Sequence, residues 1–390
     1  MDIAFLTAHD TRSIKGGGGV HAGQVSRGLL KNGHRLYTNI TEESDDFRKF
    51  RHANVREISK DIQVFYIRID GAPEKDRWTL YRRFNPNAIC LWEINAPVEE
   101  LRTRNISEQI IGVYNKKRRL LAKLVDAAIC VSDEMGAYAK DYLGIEKVFV
   151  VPNGSDHEMF SPDRMDPCMF DPGKFKIIWA GSPEYNWQGL HIVKEVAEKI
   201  YSIDRNILFI VTAEGSSTDN CLYIGRVPYI EIPKYIASAD AGLCVYDRLG
   251  YYKEFYFSPL KLYDYMSCSI PVIGSDVGQI KHVLEENRNG LLVDNCIEDI
   301  ISKIMYLKSN RNIRKAMGER GRRAVLEKYN WSNVVSKTEN IMMEVKGSIN
   351  STLISRKIKF LFTRKHWVCR QAYWEVKNRC AAMLNQGHPG

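Results

Sequence analysis

No run of this 390-residue sequence approaches the ~20 consecutive apolar residues that a membrane-spanning helix needs. The chain opens on DIAFLT, a strand-like string with no basic segment ahead of an apolar core, so a signal peptide is not expected there. Nine cysteines are scattered without a CxxC pair or any other metal spacing. Cys90, Cys130 and Cys244 sit in strand-like apolar runs, and the set reads as reduced cytoplasmic thiols, not as a disulfide framework. No His/Asp cluster has ligand spacing, so no metal is expected. No obvious protein nucleophile is present either. With 44% apolar and 26% charged residues, a largely disordered chain is excluded, and the length favours two domains.

Acidic residues are nearly missing from one end. From Lys346 onward the sequence holds nine Lys and Arg against a single acid, Glu375, so eight of the nine net positive charges belong to the last 45 residues. The preceding body is close to neutral. A basic appendage on a neutral body does not suit a nucleic-acid-binding groove, and no nucleic-acid motif is present.

What is there is alternation. Strand-like runs at 2–7, 64–69, 88–94, 127–132 and 148–153 are separated by helix-like stretches, notably 20–32 and 108–125. The stretch 161–173, SPDRMDPCMFDPG, has no periodicity and reads as a linker. The pattern then restarts, with strands expected at 175–180, 206–212, 222–227, 241–246, 270–275 and 290–293. Such alternation predicts two α/β, doubly wound, Rossmann-like domains facing a cleft. Ligands of these sheets bind outside the carboxyl ends of the strands, so functional residues are expected in the loops that follow them.

Five strings stand in such places. Gly16-Gly17-Gly18-Gly19 precedes a helix after the first strand; glycines there let backbone N–H groups approach an anion, and also suit a simply flexible loop. Trp92-Glu93-Ile94-Asn95-Ala96-Pro97 ends a strand; Asn95 can donate to and accept from a sugar hydroxyl, and the string is also readable as a turn. Val151-Pro152-Asn153-Gly154-Ser155-Asp156 closes the first half with a tight Asn-Gly turn. Tyr223-Ile224-Gly225-Arg226-Val227-Pro228 follows a strand of the second half, with Arg226 either reaching phosphate or remaining a surface charge. The fifth, YFSPLKLYDYMSCSIPVIGSD, holds a polar turn at Ser258-Pro259, an amphipathic helix over LKLYDYM and a buried strand. Its acid, Asp264, lies four residues into that helix, where a carboxylate can hold sugar hydroxyls while helix N–H groups face phosphate. Lys261 brings a cation to the same helix start, or is a solvated helix charge.

The Pro-Asn-Gly-x-Asp and SPLKLYDYM strings together resemble glycosyltransferase family 4, the group 1 glycosyltransferases of GT-B fold, over nearly all of residues 1–345. The resemblance implies a first, acceptor-side domain over 1–160, a linker over 161–174, a donor-binding domain over 175–328, a crossover helix over 329–345 and a basic amphipathic tail over 346–390. It implies that Asp264 holds the nucleotide ribose. It also implies that Gly18, Gly19, Gly181, Ser182, Gln188, Arg226, Val227, Ser258, Pro259, Leu260, Lys261 and Leu262 line the donor site, with Asn95 and Lys261 nearest the chemistry. Reaction without a protein nucleophile or metal is then expected: the acceptor attacks the face from which the diphosphate leaves, with retention, and a donor phosphate oxygen takes the proton.

The sequence departs from the family in two places. Ser182 and Gln188 stand where the family has the Arg and Lys that hold the donor diphosphate, and Tyr256 stands where it often has a first acid. Two neutral side chains give a leaving diphosphate little electrostatic help. Other cations, among them Arg226, Arg248, Lys253 and Lys261, are candidates to substitute. The departure also keeps two rival functions open, a non-catalytic nucleotide-sugar-binding subunit and a GT-B sugar-nucleotide epimerase. Residues 353–376 carry apolar residues at helical spacing with Lys, Arg and two Trp, and 115–124, NKKRRLLAKL, is similar in character. Both suit an anionic membrane surface, or else pack on the protein itself. The expected partners are thus a nucleotide-sugar donor, a glycan or lipid-linked acceptor and the inner face of a membrane, with the protein cytoplasmic and peripheral.

Overall fold

The computed structural model describes residues 1–8, 16–39, 47–49, 60–71, 73–247 and 254–348. Two parallel sheets form the body. The first is ordered β3-β2-β1-β4-β5-β6-β7, with β1 Asp2–Leu6, β2 Arg35–Thr38, β3 Phe47–Lys49, β4 Val64–Ile69, β5 Ile89–Ile94, β6 Ala127–Cys130 and β7 Val148–Val150. The second is ordered β10-β9-β8-β11-β12-β13, with β8 Phe175–Trp179, β9 Ile207–Val211, β10 Cys221–Tyr223, β11 Ala241–Cys244, β12 Val272–Ser275 and β13 Gly290–Val293. In both, the order reverses beside the first strand of the domain, between β1 and β4 and between β8 and β11. The central strands explain their own position. Every residue of β4 (VFYIRI) and β5 (ICLWEI) is buried, as a strand covered by helices on both faces requires.

Helices cover the sheets: α1 Gly16–Lys31, α2 Glu108–Ala122, α3 Asp133–Ala137, α4 Leu190–Tyr201, α5 Ile232–Ala237, α6 Leu260–Ser267, α7 Gly278–Asn287, α8 Ile297–Ser309, α9 Arg311–Glu327 and α10 Trp331–Gly347. The last one returns to the first domain. Asn330 caps it, its side chain accepting from Asn333 N at 2.9 Å. Trp331, Val334, Val335, Ile341, Met342 and Val345 join the apolar layer between α1 and the first sheet. The helices α1 and α10 pack so closely that a methyl group at Gly28 would lie 2.4 Å from Val335 Cγ2. The crossing is pinned at its start, where Ser155 N donates to Tyr329 O at 2.9 Å and Gly154 leaves no room for a side chain against the Tyr329 and Asn330 backbone.

Two expectations change, and one lies outside the described residues. The four glycines are not a loop but the first turn of α1, with Gly16 at φ +68° and Gly19 already buried. The helix α6 is not amphipathic: Lys261 through Ser267 are all buried, because it is enclosed by the second sheet, α9 and the first domain. Residues 349–390, with the amphipathic stretch 353–376, lie outside the described residues, as do Arg248 and Lys253.

Candidate functional site

The reversal between β8 and β11 is where a doubly wound sheet leaves a crevice for a ligand. The strand β8 ends at Trp179 and runs into Ala180-Gly181-Ser182; β11 runs on into Val245-Tyr246. Gly181 has to be glycine, since a methyl there would lie 2.6 Å from the Trp179 ring and 2.7 Å from Gln188 Oε1. Ser182 N donates to Gln188 Oε1 at 3.0 Å, so the Gln188 side chain closes the loop on its own backbone. Arg226 is exposed and paired with Glu184 of this same loop, so its charge is already engaged at the surface; Val227 beside it is half-buried.

The start of α6 meets this crevice. Ser258 and Pro259 are buried, Pro259 in the extended conformation that precedes the helix, and Leu262 is fully within the core. Lys261 is not a solvated charge. It is 8% exposed, and its Nζ lies 4.5 Å from the Trp179 ring centroid and 5.0 Å from that of Tyr246, with no hydrogen-bond partner. Burial lowers this ammonium to about 8. Asp264 is 6% exposed and its Oδ1 accepts from Ser155 Oγ at 2.6 Å. Burial pushes its carboxyl up to about 8; the Ser155 bond opposes the rise and the neighbouring Asp156 adds to it.

The first domain reaches α6 through a chain of buried polar groups. Glu93, on β5, accepts from Tyr66 Oη at 2.5 Å and from Asn95 Nδ2 at 2.9 Å, and pairs with Arg68. His21 Nε2 lies 2.8 Å from Glu93 Oε1, and His21 Nδ1 lies 2.6 Å from Asn153 Oδ1. Asn153 Nδ2 donates to Ser258 O at 2.6 Å, and Asn153 N donates to Ser258 Oγ at 3.1 Å. Burial alone would raise Glu93, but His21 and Arg68 outweigh it and hold the carboxyl well below the ordinary carboxylate range. The Pro-Asn-Gly-x-Asp turn is therefore a contact between the domains, Asn153 fixing the residue before Pro259 and Ser155 fixing Asp264. The two helix starts also abut, a methyl at Gly17 falling 3.5 Å from Leu260 Cδ1.

The structure thus brings Lys261, Asp264, Ser258, Pro259, Leu260, Gly181, Ser182 and Gln188 together at one crevice. Gly18 and Gly19 lie in the first turn of α1, Gly18 half-buried and Gly19 buried. Asn95 belongs instead to the Glu93 cluster, with its amide committed to that carboxylate. Sequence reasoning assigned nothing to His21, Arg68 or Glu93, although polar residues in fully apolar surroundings were a signal. It also placed Asn115 and Arg118 on a membrane-facing stretch. Both are buried: Arg118 donates to Ala96 O at 3.0 Å and to Asp70 O, tying together the loops after β5 and β4, and Asn115 donates to Glu99 at 2.7 Å. Lys116, Arg119 and Lys123 are the exposed charges of this stretch. Among the described residues no group of three or more His, Cys, Asp or Glu could hold a metal ion.

Paired doubly wound domains closed by a returning C-terminal helix define a GT-B protein. Residues 190–340 match the family model described as glycosyl transferase-like. An uncharacterised glycosyltransferase of Methanocaldococcus jannaschii is 25% identical over 240 residues, covering 57% of this chain and 59% of the relative. A poly(ribitol-phosphate) alpha-N-acetylglucosaminyltransferase of Staphylococcus aureus is 23% identical over 239 residues, covering 59% of this chain and 47% of the relative. The chain thus spans about half the length of the curated relatives it matches. The sucrose-phosphate synthase of Thermosynechococcus elongatus shares the fold with a TM-score of 0.68 at 14% identity, over 89% of this chain and 100% of its own. So does Anabaena HepE in complex with UDP-glucose, with a TM-score of 0.65 at 13% identity, over 88% and 100%. This chain therefore has the GT-B fold and, over residues 190–340, is similar to glycosyl transferases.

Proposed function

We propose that this protein transfers a sugar, with retention, from a nucleotide-sugar donor to a hydroxyl of a glycan or lipid-linked acceptor in cell-surface polysaccharide or glycoconjugate synthesis. One observation carries the reading: the buried start of α6, with Asp264 and Lys261, stands at the β8–β11 crevice and is held there by Asn153 and Ser155 of the other domain. Asp264 is the ribose ligand, exchanging its Ser155 hydrogen bond for ribose hydroxyls. The N-termini of α6 and α1 face the diphosphate. The UDP-glucose named with HepE supports a uridine nucleotide as the first donor to try. The protein's part in the chemistry is positioning and charge stabilisation between two domains.

The test is release of nucleoside diphosphate from a panel of UDP-, GDP- and ADP-sugars, with and without lipid-linked and soluble glycan acceptors. Transfer with one donor supports the reading, with anomeric NMR of the product deciding retention. Asp264→Ala should lower donor affinity at least tenfold. The closed Ser182–Gln188 pair favours one second reading, a subunit that binds nucleotide-sugar without turning it over. Saturable nucleotide binding with no diphosphate release from any donor and acceptor would select it.

A further inference from the structure

Two buried hydrogen-bond donors without partners flank the same ring. Lys261 Nζ lies 5.0 Å from the Tyr246 centroid, and Trp187, whose Nε1 is also buried and unpartnered, stacks on Tyr246 at 5.6 Å. Leaving a buried polar group unpaired costs about 1–3 kcal/mol, and more when it is charged, so two at one place call for an explanation. Neither is forced by packing. A Met at 261 would fill the space between Trp179 and Tyr246 without a charge, and a Phe at 187 would keep the stack on Tyr246 and on Phe257, 4.8 Å away.

The location is as informative as the lack of partners. Trp179 ends β8 and Tyr246 lies just past the end of β11, the two strands between which the sheet order reverses. Lys261 is the second residue of α6, whose free N–H groups add positive potential at that end. Gly181 lies against the Trp179 ring, and in the loop that it opens two neutral groups, Ser182 N and Gln188 Oε1, face each other. Arg226 is drawn away to Glu184.

We propose that Lys261 Nζ and Trp187 Nε1 form an anion site that takes the two phosphates of the donor, with Lys261 standing in for the cations that Ser182 and Gln188 do not supply. In the free protein the two aromatic rings hold the ammonium by cation–π attraction in place of a counter-ion. A diphosphate entering over Gly181 draws the Lys261 side chain, on its flexible four-carbon stem, out of this cage. Lys261 is then the group that neutralises the leaving diphosphate. The inference rests on the proposed nucleotide-sugar reading for the identity of the anion, not for the existence of the site.

The experiment is calorimetric titration of the full chain with inorganic pyrophosphate, UDP and uridine, for wild type, Lys261→Met, Lys261→Arg and Trp187→Phe, with unliganded thermal unfolding of each. Pyrophosphate and UDP should bind the wild type and lose tenfold or more in Lys261→Met and severalfold in Trp187→Phe, with Lys261→Arg recovering most of the affinity. Uridine affinity should not move. Unliganded Lys261→Met should melt at the wild-type temperature or above, because an unpaired buried charge has gone, and that separates lost binding from lost folding. Equal pyrophosphate affinity in wild type and Lys261→Met, or none in the wild type at millimolar concentration, overturns the site. Pyrophosphate binding that depends on Lys261 without binding of UDP or any other nucleotide would keep the site and sink the nucleotide-sugar reading. Nucleotide binding indifferent to Lys261 would do the reverse.

Discussion

At the residue scale Asp264, Lys261 and Glu93 are all held far from their ordinary states, and their signs differ. Asp264 binds its proton up to about pH 8 in the fold but only up to the ordinary carboxylate range when unfolded. Its contribution to stability is therefore complete in acid and is lost as pH rises from about 4 through 8. Lys261, lowered to about 8, does the opposite: stability is lost as pH falls from the ordinary lysine range of about 10.4 through 8. Denaturant unfolding of the wild type should thus weaken between pH 6 and 8. Asp264→Asn should remove that slope and be more stable than wild type above pH 8, and an unchanged slope would mean that the carboxyl titrates normally. Glu93 is the third case. Its carboxylate serves Arg68, His21, Tyr66 and Asn95 at once, and Glu93→Gln strands the buried guanidinium of Arg68. The expected loss is about 3–5 kcal/mol by chemical denaturation, large enough to unfold a marginal domain.

At the scale of elements, legibility follows the length and surroundings of each segment. The strands β4 and β5 read directly from their apolar runs because both faces are covered. The strand β2, RLYT, and β3, FRK, are four and three residues long, too short for any period to show, and they went unread. The four glycines at the start of α1 read as a loop because glycine disfavours helices; further along the same helix, at Gly28, α10 lies against α1 where a side chain is missing. The seam makes a prediction. Gly28→Ala should cost about 1–3 kcal/mol through overlap with Val335, and adding Val335→Ala should recover part of it. Additive losses would show that the two helices do not press on each other at this point. In α2 the basic composition concealed an inward stripe, Asn115, Arg118, Leu121 and Ala122, at helical spacing. The candidate site was legible as strings, since SPLKLYD and PNGSD carry its contacts. What one string does to the other, Ser155 on Asp264 and Asn153 on Ser258, needed the fold.

At the scale of the whole molecule, charge is segregated, and the segregation decides how a peripheral protein would sit. No described helix is long and apolar enough to cross a membrane. The first domain presents Lys116 and Arg119 on an exposed face of α2, with Lys123 just past its end and Arg119 over the ring of the exposed Tyr142 at 5.4 Å. Of the nine basic residues from Lys346 onward, Lys346 is in the last turn of α10, which ends against this same domain rather than the donor domain, and eight follow it. Two basic elements attached to one domain would leave the other free to open and close over a donor. Each Lys or Arg near an anionic leaflet contributes about 1 kcal/mol, so the tail should dominate and α2 should orient. The full chain is expected to sediment with vesicles containing phosphatidylglycerol and not with pure phosphatidylcholine, and to be released as salt shortens the screening length. A chain ending at residue 348 should lose most of that binding while keeping its melting temperature. Reversal of Lys116, Arg119 and Lys123 to Glu in the full chain should weaken it by a smaller factor. Equal sedimentation with neutral vesicles, or full retention by the shortened chain, would refute a membrane role for the basic tail. Binding lost on shortening but untouched by the three reversals would instead assign attachment to the tail alone and leave the first domain unoriented at the surface.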